Sequence, residues 1–185
     1  MRKACFIVAA LLTISLLLPG CPKKAKLDAD DRTALQTVAM GAKARAFRFA
    51  EEKPRIAAKE ADDADAVRKW ADEFERGLNT RAEALAKFYY QAQRGKLAEV
   101  DRVALATLVA NICADEEGFR HMLPNLAPGP DTTAEQWEDF LIATQSGLAD
   151  LKVAALDFAA RIKRFDEKAK AEAEKSAAPP AEKSE

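Results

Sequence analysis

His121 is the only histidine in the chain, which removes most metal and nucleophile chemistry at the outset. A c-type haem needs a C-x-x-C-H run, which is absent, and a di-iron bundle needs Glu-x-x-His pairs on facing helices. Glu117 and His121 stand four apart with no second copy. His121 therefore reads as a rim residue near a helix end, and no metal site is expected. Ser146 has neither a nucleophile elbow nor an acid to orient His121 beside it. No catalytic residue is assigned, no cofactor is expected, and the chain is read as a non-enzyme.

Glu116 is the least ordinary acid. At 100° per residue it falls among Leu105, Val109, Ile112 and Phe119 on one helical stripe. Buried there, a carboxylate would need a cation or hydrogen-bond donors beside it. Two readings stand: an interior ligand site, or a stripe reaching solvent at the rim beside Asp115 and Glu117. Cys113 lies in an apolar run and reads as a structural thiol, with intermolecular pairing as the alternative. Asp62, Asp63 and Asp65 are spaced like part of a calcium loop, but the required glycine and terminal glutamate are missing. Acids favoured at a helix start explain them better. The basic stretch from Lys43 to Lys59 interleaves Phe47 and Phe49, and reads as a solvated face or a contact for anionic polymers or lipid. Phe88-Tyr89-Tyr90 cannot all face inward, so one ring is expected to be exposed.

The N-terminus carries the most specific signal. Arg2 and Lys3 precede an apolar run from Ala4 to Leu18, the layout of a secretory signal. Fifteen helical residues reach only about 22 Å, short of a bilayer core about 30 Å thick. Leu18-Pro19-Gly20-Cys21 then resembles the lipobox of bacterial type II signal peptides, with Pro19 where that class more often has Ala or Ser. The resemblance implies cleavage between Gly20 and Cys21, a diacylglyceryl thioether on Cys21, and a further acyl chain such as palmitate on its new amino group. Two or more chains hold a protein stably to a membrane. Pro22 stands where enterobacterial lipoproteins retained in the inner membrane carry Asp. The resemblance thus favours the outer membrane, facing the periplasm, with Pro22-Lys23-Lys24-Ala25-Lys26 as a basic tether.

Loss of residues 1–20 from 185 leaves 165 residues and turns the formal charge of −1 into −3, because Arg2 and Lys3 leave. Such a balance argues against nucleic acid as a partner. Of three cysteines only Cys113 remains free, so no internal disulfide is expected.

The rest of the chain is rich in helix formers. Four helices are expected: Asp28 to Lys53, Asp63 to Arg94 in phase across Gly77, Ala98 to Met122, and one opening on a Thr132-x-x-Glu135 capping box. Thr80-x-x-Glu83 offers a restart within the second. Ala104 to Ala114 is apolar on nearly every side, which predicts a helix buried all round. In the fourth, Trp137, Thr144, Leu151, Phe158 and Phe165 recur every seven residues, with Leu141, Leu148, Ala155 and Ile162 between them. Such a seam suits a bundle or a coiled coil. No repeat shows at a period of 20–50 residues.

The expected fold is all-α, an antiparallel up-down-up-down four-helix bundle over 28–165. A signal peptide (1–20) and lipidated tether (21–27) precede it, and a charged Ala/Lys/Glu tail (166–185), frayed and then disordered, follows. The expected function is a membrane-anchored, non-catalytic scaffold or interaction domain of the cell envelope. Its partners would be the membrane through Cys21, and an envelope protein or a second copy along the Trp137–Phe165 seam. The alternative is a small-ligand bundle with an interior site near Glu116.

Overall fold

A computed structural model describes residues 27–94 and 97–177. The expected signal segment, Cys21 and the expected basic tether lie outside the described residues, as do 95–96 and 178–185. Four helices follow in order: α1 (Ala29–Glu52), α2 (Ala64–Arg94), α3 (Glu99–Met122) and α4 (Ala134–Ala177). α1 and α2 form one hairpin, α3 and α4 another; α1 also packs on α4, and α2 on α3. This is the up-down-up-down bundle expected from the helical periodicity and the short links. No described helix is long and apolar enough to cross a membrane.

The side chains that set each helix are those of the apolar stripes. α1 is capped by Asp28, whose carboxylate accepts from the Asp31 N–H at 2.8 Å, and it buries Leu35, Val38, Ala42, Ala46 and Phe49. α2 runs unbroken through Gly77; the Thr80 hydroxyl donates to the Arg76 carbonyl at 2.8 Å within the helix and starts nothing new. α4 buries Phe140, Thr144, Leu148, Leu151, Ala155, Phe158 and Ile162. At its start Phe140 replaces Leu141 in the buried row, and Trp137 and Leu141 are only half-buried. A 3.6-residue helix drifts about 20° per heptad from a 3.5 repeat, so a seven-residue pattern cannot stay centred over its full length. From Thr144 to Ile162 the seam packs against the chain's own helices; the Phe165 side chain lies outside the description.

Two expectations need correction. α3 is not buried all round: Ala104, Ala106, Ala110 and Ala114 are exposed and Val103 is 62% exposed. Alanine counts as apolar in a pattern yet suits a water-facing helix, because it is the best helix former. The capping box of α4 is Thr133-x-x-Gln136, one residue later than expected. The Gln136 N–H donates to the Thr133 hydroxyl at 3.2 Å, and the Thr133 N–H donates to the Gln136 amide oxygen at 3.0 Å. Thr133→Ala should therefore lower stability by about 1 kcal/mol. Thr132→Ala, which removes only a 3.4 Å bond to the Arg55 carbonyl, should stay within about 0.5 kcal/mol; urea unfolding separates the two. α4 itself continues through 166–177, in keeping with the helix propensity of Ala, Lys and Glu.

The connections hold what the pattern did not announce. After α1 a single 3₁₀ turn, Lys53–Arg55, leads into β1 (Ile56–Ala58); after α3 a 3₁₀ turn, Leu123–Asn125, leads into β2 (Leu126–Pro128). β1 and β2 pair antiparallel, Ile56 with Pro128, Ala57 with Ala127, Ala58 with Leu126. Flanking bonds run from the Lys59 N–H to the Asn125 carbonyl at 2.9 Å and from the Gly129 N–H to the Arg55 carbonyl at 2.7 Å. Antiparallel pairs alternate between bonded and non-bonded, so Pro128 falls at a position where no N–H is required of it.

These details reveal an internal duplication. Adding 70 to the first half gives the second: Ala29–Glu52 becomes Glu99–Met122, Lys53–Arg55 becomes Leu123–Asn125, Ile56–Ala58 becomes Leu126–Pro128, and Ala64 becomes Ala134. Leu27/Leu97, Leu35/Leu105, Phe49/Phe119 and Leu78/Leu148 are identical pairs, buried in both halves. Pro54/Pro124 and Gly77/Gly147 also match. The ladder is self-complementary: Ala57 faces its own equivalent, Ala127, and each flanking hydrogen bond is the counterpart of the other. A period of 70 lies beyond the 20–50 range in which no repeat was found.

Candidate functional site

Of the buried polar residues, Arg102, Asp115 and Glu116 lie on α3 and Thr144 on α4, and at Asp115 and Glu116 the second half departs from the first. Asp115 and Glu116 are both buried, at 8% exposure; their counterparts are Arg45 and Ala46. Asp115 takes two bonds from the Arg81 guanidinium of α2, Nε to Oδ2 at 2.8 Å and Nη2 to Oδ1. Burial pushes its carboxyl up to about 6, against the opposing pull of Arg81. Arg81 curls back over Gly77, where a Cβ would meet its guanidinium at 2.8 Å. The Arg45 guanidinium lies over Gly147, where any Cβ would collide with it, and reaches the Ala143 carbonyl at 3.4 Å. Both matched glycines thus make room for an arginine between helices.

Glu116 meets the requirement placed on a buried carboxylate. Its Oε2 accepts from Lys152 of α4 at 3.0 Å, and Arg120, one turn on, holds Oε1. The Lys152 bond is the main reason the Glu116 carboxyl sits below its ordinary range, and Lys152 is raised in return. Lys152 also lies 3.5 Å from exposed Glu117. A cleft of ≈ 300 Å³ opens beside this cluster, with Phe119, Gln145 and Ser146 in its wall.

The other sequence candidates disperse. His121 is exposed near the end of α3, and the Ser146 hydroxyl turns to the Ala143 carbonyl at 3.5 Å. Cys113 is half-buried, and burial raises its thiol. Asp62 and Asp63 occupy a 3₁₀ turn leading into α2, and Asp65 its first turn. Among the described residues no group of three or more His, Cys, Asp or Glu could hold a metal. Within the basic stretch, Lys53 is held by Asp72 at 2.9 Å and by Glu75, and Arg55 by Glu52 at 2.6 Å. Phe88 and Tyr89 are half-buried, whereas Tyr90 is 64% exposed.

Sequence reasoning missed Asp115, treated there as a rim residue, because its partner lies 34 residues away on another helix. It also missed a second cleft beside β1, whose only sequence signal is small residues at two positions that are large 70 residues on. No family model, no curated protein and no solved structure matches the chain.

Proposed function

We propose that the protein is a lipid-tethered, non-catalytic helical bundle of the bacterial envelope, which holds an interaction surface away from the membrane through acyl chains on Cys21. The observation that carries this reading is the polarity of the bundle. α1 starts, α2 ends and α4 finishes at one end, only six residues from Cys21 to Leu27, while the β1–β2 ladder closes the other. An α1 of 24 residues puts the ladder about 36 Å from the tethered end. The interior charged groups support the same reading, because Arg81–Asp115 and Lys152–Glu116 bind helix to helix.

Cys21→Ala tests the anchor. The wild type should partition into detergent and carry the mass of its acyl chains, and the variant should stay as uncut precursor or turn up in the aqueous phase. Unchanged partitioning and unchanged mass overturn the reading. A photocrosslinker at Lys59 or Pro130, both exposed beside the ladder, should capture a protein partner in native membranes; a chain that stays monomeric there removes the interaction role. The cleft next to Glu116 favours a second reading, a small-ligand site. It is the weaker one, since a ligand would have to compete with Lys152 and Arg120 for that carboxylate.

A further inference from the structure

Beside the ladder the two halves are filled differently. A cleft of ≈ 370 Å³ opens between β1 and α2, walled by Ile56, Ala58, Val67 and Ala71, with Lys53 and Asp72 at its edge. The positions equivalent to Val67 and Ala71 are Trp137 and Leu141, one helical turn apart on α4. Both are packed against the core in the second half, with the Trp137 ring 5.3 Å from that of Phe140. An indole and an isobutyl group in one half thus correspond to an isopropyl and a methyl in the other, on helices of matched register. Large-to-small replacement on a retained backbone leaves space; Val67 and Ala71 form the inner wall, at 3% and 4% exposure, and the residues that fill the sister position show the kind of group that fits.

We propose that this cleft is a binding site for a small, neutral aromatic molecule of about indole size. Neutrality follows from the edge: Lys53 is already held by Asp72 and Glu75, and Arg68 lies 3.4 Å from Asp65, so the surrounding charges answer one another. The inner wall is aliphatic, with Lys53, Arg68 and Asp72 at the rim, and the volume falls within the range of small-ligand sites, about 300–1,000 Å³. The site is separate from the tether and from the Glu116 cluster, so it stands whether or not Cys21 is acylated.

The test uses the purified full chain with indole as probe, read from the methyl NMR signals of Ile56 and Val67. Saturable shifts confined to the cleft are expected. Val67→Trp with Ala71→Leu, which copies the second half, should keep the helical content, raise the melting temperature and abolish the response of Ile56. Should that double variant fail to fold, Ala71→Leu alone must weaken indole at least tenfold. Absence of saturable shifts up to millimolar indole, an Ile56 response unchanged in the filled variant, or unchanged affinity in Ala71→Leu overturns the site.

Discussion

Arg81→Leu should lower folding stability by about 3–5 kcal/mol at pH 8 and by much less at pH 5. The substitution strands Asp115, a carboxylate with 9% of its side chain exposed, among apolar neighbours. Near pH 5 the stranded acid takes up a proton and escapes most of the penalty. Arg81→Leu with Asp115→Leu should recover most of the loss, because replacing a whole buried pair by packed apolar groups is often neutral. The second half already carries Leu151 at the position matching Arg81. The wild type has its own signature. A folded value raised from 3.8 to about 6 means that the folded chain binds the proton more tightly than the unfolded one. Stability then falls as pH rises from about 4 to 6 and levels off above, a loss of about 3 kcal/mol at roughly 1.4 kcal/mol per unit. Asp115→Asn should remove this slope. Glu116 works the other way: its carboxyl is lowered, so its contribution is present above its unfolded value and lost as pH falls. Urea unfolding at pH 4, 5, 6 and 8 reads all four chains; a loss in Arg81→Leu that is independent of pH would refute the account.

Phe119→Ala should cost about 3–5 kcal/mol and loosen the contact between the two hairpins. The Phe119 ring lies 6.2 Å from Trp70 and 6.1 Å from Phe74, both on α2, and 6.1 Å from Phe140 on α4, so one side chain joins three helices. Its counterpart Phe49 touches Trp70 and Phe74, at 6.2 and 4.9 Å, while α4 carries Thr144 at the position matching Phe74. Phe119→Leu, which keeps most of the volume, should recover more than half of the loss. Denaturant midpoints and near-ultraviolet dichroism of the two tryptophans provide the readout. An alanine variant that unfolds within 1 kcal/mol of wild type would mean the cluster collapses around the gap.

The bundle was legible because its helices obey a period of 3.6: Leu35, Val38, Ala42, Ala46 and Phe49 mark α1, and the row from Thr144 to Ile162 marks α4. Glu116 could be singled out by phase alone, but its partners could not, because Lys152 comes from another helix 36 residues away. The strands were not legible. Ile56-Ala57-Ala58 and Leu126-Ala127-Pro128 are too short to show alternation, and only the meeting of two distant loops makes them a ladder. The duplication was hidden because matched positions keep size or burial more than identity, as where Val67 answers to Trp137 or Arg45 to Asp115.

The ladder ties the first hairpin to the second, and its two edges match each other rather than two different partners. Either hairpin could therefore close with the equivalent part of a neighbouring molecule by the same bonds. Stretching the short link between α2 and α3 would turn one closed chain into an exchanged pair with every contact preserved, so crowded or partly unfolded protein would favour swapped dimers over random aggregates.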